Sequence, residues 1–243
     1  MMGSIGRHGV RWSMAVAGIA FAAVAARAQA DTRPTLAVMT FSNGATGSAH
    51  TDLDPLTIGV PMLLIDALAD NAKIRVVERE NLQAVIKEQN LGASGAVDPA
   101  TRAKLGKILG AGHMIFGGFV TDPKGNMRIT ARSVNVETSL VEYNTDIEGK
   151  QDDLMTLITQ LADKINAGLK LPPLAAGVKE TSLEHAKKIP LQATLLYSRA
   201  IAAKENGKTD EAVQYLQKAI TQFPDFGQAQ QELKKLQPAS GTE

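Results

Sequence analysis

His113-Met114-Ile115-Phe116-Gly117-Gly118-Phe119-Val120-Thr121, Asp122-Pro123-Lys124-Gly125-Asn126 and Met127-Arg128-Ile129-Thr130-Ala131-Arg132-Ser133-Val134-Asn135 follow one another without a break. The two outer runs are rich in β-branched, aromatic and alternating apolar residues, and the five between them combine Pro, Gly, Asp and Asn. That order predicts an antiparallel hairpin closed by a tight polar turn. Glu137-Thr138-Ser139 turns the chain again into a third strand over 140–147, giving a three-strand meander.

Upstream, Thr35 to Phe41 reads as a strand, ended by Ser42-Asn43-Gly44 and a polar loop to about Asp54. Leu56, Val60, Leu63, Leu64, Ala67 and Leu68 recur at helical spacing, and Lys73 to Val77 reads as a second strand. Helices are expected over 80–91 and from Asp98-Pro99 to Leu109, where Gly110-Ala111-Gly112 stops the second. Downstream of the meander, Leu154, Leu157, Ile158, Leu161 and Ile165 lie on one face of a helix over 151–169. The expected fold is therefore an α/β (α+β) domain with a mixed or antiparallel sheet packed on helices.

After Leu171-Pro172-Pro173 the pattern changes, and up to Leu236 there is no strand candidate. The organisation expected is a leader over 1–30, an α/β domain over 31–170, a linker over 171–180 and a small all-α domain over 181–243. Within the last, Asn206-Gly207-Lys208 turns a helical hairpin with Ala200, Ala212 and Ala219 where its helices touch.

Arg7, His8 and Arg11, the apolar run from Met14 to Ala26, and Ala28-Gln29-Ala30 have the three parts of a cleavable secretory signal, with the cut expected after Ala30. The apolar run is shorter than the ~20 residues of a membrane-spanning helix. An exported chain is expected, periplasmic or outer-membrane-associated, with no integral membrane span after the leader. Losing Arg7, Arg11 and Arg27 takes the formal net charge from +1 to −2, and no basic block remains to attract nucleic acid. Cysteine is absent, which excludes disulfides, thiolate catalysis and an N-terminal lipidated cysteine.

Val76-Val77-Glu78-Arg79-Glu80-Asn81-Leu82, followed by Ile86, Glu88-Gln89 and Leu91, resembles the CsgG-like family of curli production assembly and transport components. Leu36-Ala37-Val38, Gly110-Ala111-Gly112, Phe116-Gly117-Gly118 and Ala131 to Thr138 stand in the matching order, so the resemblance covers about residues 34–169. It implies an α/β domain without catalysis. The family's channels insert two long β-hairpins per subunit into the outer membrane and carry a lipidated cysteine. Here the two insertion points, 122–126 and 147–153, are too short for the ~9–11 residues per strand that a bilayer requires. Residues 42–54 stand where the family has its constriction loop. The tail over about 193–226 resembles one tetratricopeptide repeat, with Ala200, Ala212, Leu216, Ala219 and Pro224 at family positions and Leu196 in place of the early aromatic. A single repeat buries little, so it is expected to lean on 183–189 and on a capping helix over 228–236.

His8, His50, His113 and His185 fall in different elements without carboxylates at metal-ligand spacing, the glycine pairs do not open a helix, and no Ser has a G-x-S-x-G setting. No catalytic, cofactor-binding or metal-binding residue is expected, and no cofactor. Glu78-Arg79-Glu80 sit at a strand-to-helix junction, where capping and dipole compensation account for them; the competing reading is an inter-subunit contact. Tyr197 with Arg199, and Tyr215, are candidates for a concave peptide-binding face, since aromatic and arginine anchors carry much of the energy of interfaces. The function expected is a non-enzymatic envelope assembly or secretion-associated protein that binds envelope proteins or a peptide segment and associates with itself. The alternatives are a regulatory activator docking on a cell-wall-synthesising enzyme, or a pore-forming subunit.

Overall fold

Residues 35–41 are almost wholly apolar, which suits a strand covered on both faces, and they begin β1 (Thr35–Asn43), buried from Thr35 to Met39 and again at Phe41. The computed structural model describes residues 31–88, 99–175 and 177–237. The expected leader over 1–30 and the end of the expected helix at 89–91 lie outside the described residues. After β1 the chain forms a short helix α1 (Ser48–Leu53), where the sequence suggests only loop, and α2 (Leu56–Ala69). Next come β2 (Arg75–Val76), α3 (Arg79–Glu88), α4 (Pro99–Leu109), β3 (His113–Thr121), β4 (Asn126–Asn135) and β5 (Val141–Lys150). A 3₁₀ turn over Gln151–Asp153 leads into α5 (Leu154–Gly168), and four helices follow: α6 (Val178–Ala186), α7 (Leu191–Glu205), α8 (Thr209–Gln222) and α9 (Gly227–Leu236).

The sheet order is β2-β1-β3-β4-β5. β1 runs parallel to β2 and β3, while β3, β4 and β5 form the antiparallel meander, so the sheet is mixed. The register runs from His113 opposite Asn135 to Thr121 opposite Met127. The Asp122 carboxylate closes the intervening turn by accepting from the backbone N–H of Lys124 and of Asn126, at 2.8 and 2.9 Å, and Gly125 supplies the positive φ of 73°. Of the two expected insertion points, 122–126 is this short turn, and 147–153 is the end of β5 running through the 3₁₀ turn into α5. β5 continues to Lys150, past the expected Ile147, because Arg128 lies opposite Glu148 and binds it at 2.8 Å.

One sheet face packs on α2, α5 and the C-terminal helices through Val38, Phe41, Ile115, Phe119, Ile129 and their neighbours. The opposite face is covered at one end by α3 and α4, over Ala37, Met39, Met114, Val134 and Val136. α2 is sandwiched between the sheet and α7, which explains why Gly59, Val60, Pro61, Met62, Leu63, Leu64 and Ile65 are buried in an unbroken run. α7 and α8 form the expected helical hairpin about Gly207, whose φ is 74°. Its core residues Leu196, Ala200, Leu216 and Ala219 belong to the same hydrophobic cluster as the sheet. The helical segment therefore shares a core with the α/β segment, and Arg33–Glu243 cluster as one compact unit. No helix among the described residues is long and apolar enough to cross a membrane.

The α2–α7 contact depends on a missing side chain. A Cβ on Gly59 would lie 1.8 Å from Ser198 Oγ, 2.4 Å from its Cβ and 3.1 Å from its Cα. Because Ser198 Cβ keeps its place when the hydroxyl rotates, a change of rotamer does not relieve the clash. Gly59→Val is expected to destabilise the chain by about 1–3 kcal/mol, read as a lowered urea midpoint, whereas Ser198→Ala at the same contact is expected to cost less.

Candidate protein-interaction site

The Glu78-Arg79-Glu80 run occupies the junction between β2 and α3, as the strand-helix pattern implies. Glu78 is exposed, and Glu80 stands in the first turn of α3, where a carboxylate opposes the positive end of the helix. Arg79 is turned inward and is only 3 % exposed. Its Nε donates to Glu205 Oε1 at 2.5 Å, its Nη2 donates to Glu205 Oε2 at 3.3 Å, and Nη2 also reaches Thr40 Oγ1 at 3.4 Å. This is a fork-to-carboxylate pairing across the seam between α3 and α7.

A second set of charges runs beside it. Lys204 Nζ donates to Glu80 Oε1 at 2.6 Å and to Glu232 Oε2 at 2.8 Å, and Lys235 Nζ donates to Glu232 Oε1 at 2.6 Å. Burial works to raise the Glu80 carboxyl, but the hydrogen bond and charge of Lys204 outweigh it and hold the group below its usual value. Burial likewise opposes the charge on Lys204, and its two carboxylate partners outweigh that and push its pKa up. Arg79 and Glu80 are therefore committed within the chain, binding the α/β segment to the helical one. At 3 % exposure the Arg79 guanidinium is turned away from any neighbouring molecule, whereas Glu78 and Glu80 stay exposed beside it.

The residues proposed to hold a peptide are separated by the fold. Tyr197 is fully buried, with its ring 5.3 Å from that of Phe226 at 45°. It is a core residue and not a contact residue, because the register of α7 turns position 197 toward α9. Arg199 is half-buried on α7, and Tyr215 is half-buried on α8, with Lys218 Nζ 5.7 Å from its ring centroid. With Tyr197 inside, Arg199 and Tyr215 are the half-buried members of that set.

A more open surface is the edge of the sheet at β5, which pairs with β4 alone among the described residues. Its inward side is fixed. Tyr143 lies flat over Gly168 of α5, where a Cβ would come within 2.0 Å of Tyr143 Cζ, and Gly149 meets Leu157. Glu142 is held by Ser133 Oγ at 2.8 Å and Asn135 Nδ2 at 3.3 Å, and His113 Nδ1 lies 2.5 Å away. On the other face Arg128 bridges Asp146 at 3.2 Å and Glu148 at 2.8 Å. Leu140 and Val141, at the start of this edge, are 67 % and 49 % exposed. An edge strand held this firmly on one side presents unpaired backbone groups and an apolar start to any extended segment. Its sequence signal is the polar residue at every second position, Glu142, Asn144, Asp146, Glu148 and Lys150, where a strand buried on both faces is apolar throughout.

Residues 18–122 match the family described as Curli production assembly/transport component CsgG. The match ends in the turn after β3, so β4, β5 and every helix from α5 onward lie beyond it. No curated protein matches the chain in sequence. Among solved structures, the LpoB C-terminal domain from Salmonella enterica is similar at 15 % identity, with 48 % of this chain and 82 % of that one covered and a TM-score of 0.37. Lipoprotein GNA1162 from Neisseria meningitidis is similar at 13 % identity, covering 54 % and 95 %, with a TM-score of 0.39. A PelC dodecamer from Paraburkholderia phytofirmans is similar at 14 % identity, covering 58 % and 90 %, with a TM-score of 0.33.

Proposed function

We propose that this chain, CsgG-type over residues 18–122, is a non-enzymatic component of the cell envelope, periplasmic or outer-membrane-associated, that acts in assembly or secretion by binding protein, copies of itself included. The observation that carries the reading is the β5 edge: ten residues long, paired on one side, braced from behind by α5, and apolar where it begins. Strand addition to such an edge draws its affinity from main-chain hydrogen bonds and its specificity from the side chains beside them. The charges on Asp146, Glu148 and Lys150 guard the far end against indiscriminate pairing and leave the Leu140–Val141 end as the place where contact begins.

Hydrogen exchange tests this reading. In a protein spanning residues 31–243, the β5 peptide is expected to gain protection as concentration rises, while β4 and α5 stay constant. Unchanged exchange along β5 at every concentration, with no envelope protein protecting it either, would sink the reading.

A further inference from the structure

Away from the β5 edge, α2, α5, α6 and α9 enclose a cleft of about 480 Å³. Its walls are partly apolar, with Leu63, Met155, Ile158 and Ile189 among them. Two carboxylates, Asp66 on α2 and Asp70 at its C-terminal cap, stand one helical turn apart and both line it. Asp70 accepts from Ser182 Oγ at 2.6 Å. Asp66 is in a different position, for its carboxylate accepts no hydrogen bond among the described residues. Its surroundings include Glu232, Glu78 and Asp70, with Lys235 as the opposing charge, and Lys235 Nζ is already bound to Glu232. An ionised carboxylate at the side of an apolar cleft, surrounded mainly by like charges, is complementary to a cation.

We propose that this cleft binds the basic side chain, lysine or arginine, of a protein partner, with the aliphatic stem along the apolar walls and the cationic head against Asp66. The chemistry matches the shape: such side chains lay a hydrocarbon stem on apolar surface and carry the charge at its tip. A purely apolar ligand leaves Asp66 unsatisfied, and an anion meets two carboxylates. Burial pushes the Asp66 carboxyl up to about 7, with Glu232 adding to the rise and Lys235 opposing it, so an arriving cation stabilises an ionised form that the empty cleft disfavours. The site is independent of the β5 edge, and a failure of self-association leaves it untouched.

The probes are the pentapeptide amide Ac-Ala-Ala-Lys-Ala-Ala, its norleucine counterpart and n-butylamine, added to the protein spanning residues 31–243 and followed by amide resonances at about pH 8, where the Asp66 carboxylate is ionised. The lysine peptide is expected to shift resonances of α2, α6 and α9 saturably, the norleucine peptide to leave them in place, and n-butylamine to bind more weakly. Asp66→Asn is expected to weaken the lysine peptide about tenfold or more, the effect of losing a charge-assisted hydrogen bond, while Lys218→Ala on the hairpin leaves it unchanged. Equal binding of the norleucine peptide, equal or tighter binding of n-butylamine, or undiminished binding by Asp66→Asn would each overturn the proposal. Retained dispersion of the Asp66→Asn spectrum separates lost binding from lost folding.

Discussion

Glu205→Ala is expected to destabilise the chain by about 3–5 kcal/mol, more than Arg79→Ala, although the two residues form one pair. The asymmetry follows from their burial. Removing Glu205 leaves the Arg79 guanidinium 3 % exposed and without its carboxylate, whereas removing Arg79 leaves a glutamate whose side chain, at 19 %, still reaches water. Arg79 Nη1 already lacks a hydrogen-bond partner among the described residues, so losing Glu205 adds to an existing deficit. The pair Arg79→Met with Glu205→Leu is expected to restore most of the stability, because replacing both partners removes the desolvation cost together with the attraction. Urea unfolding of the two single variants and the double one checks this. Single variants of equal cost, or a double variant as unstable as Glu205→Ala, would show that the seam is not held by the charge pair. Because the pair joins α3 to α7, its loss is also expected to loosen the C-terminal helices from the sheet.

The opposite sign is expected for Asp66→Asn. Burial raises the folded carboxyl from 3.8 to about 7, aided by Glu232 and opposed by Lys235. Below the unfolded value, both states hold the proton and the residue contributes nothing to the pH dependence. Between the two values the folded chain binds a proton that the unfolded chain has released, so stability falls as pH rises. Above about 7 the full desolvation penalty of the charged carboxylate applies. Asparagine removes that penalty, and Asp66→Asn is expected to stabilise the chain by about 2–4 kcal/mol at alkaline pH and little near pH 4. Denaturation midpoints of both proteins at the two pH values check the difference. A gain of the same size at both would assign the effect to amide packing, and a loss at alkaline pH would contradict the burial of the charge. A group that costs stability in this way is consistent with the cation-binding role inferred for its cleft, since sites for ligands commonly oppose stability.

The pattern of residues 113–135 carried much of the fold, because alternation and turn chemistry act locally: Asp122, Gly125 and Asn126 close the hairpin with contacts no more than four residues apart. α2 was legible for the same reason, through its spacing. The short helix α1 was not, since Leu53 is its one buried residue and Ser48-Ala49-His50-Thr51-Asp52 gives no apolar period. The site was far less legible. Arg79 and Glu205 are 126 residues apart, and nothing in either neighbourhood selects the other. Glu78-Arg79-Glu80 reads as a charged run, and nothing in it tells that Arg79 and Glu80 pair within the chain. Tyr197 drew notice because aromatic residues are scarce, but scarcity does not say which face of α7 a ring occupies, and packing on Phe226 decides it. The edge position of β5 follows from strand order, which places β1 between β2 and β3 and leaves the end of the meander outermost.

Protein binding through that edge is tested most directly by the molar mass of the protein spanning residues 31–243, measured by light scattering behind size exclusion over a range of concentrations, beside Val141→Lys. Val141 is 49 % exposed, so a lysine there places charge on the edge without disturbing the core. A discrete multi-subunit mass for the parent chain that falls toward a single subunit in the variant is the expected result; one subunit at every concentration for both proteins would contradict self-association through β5.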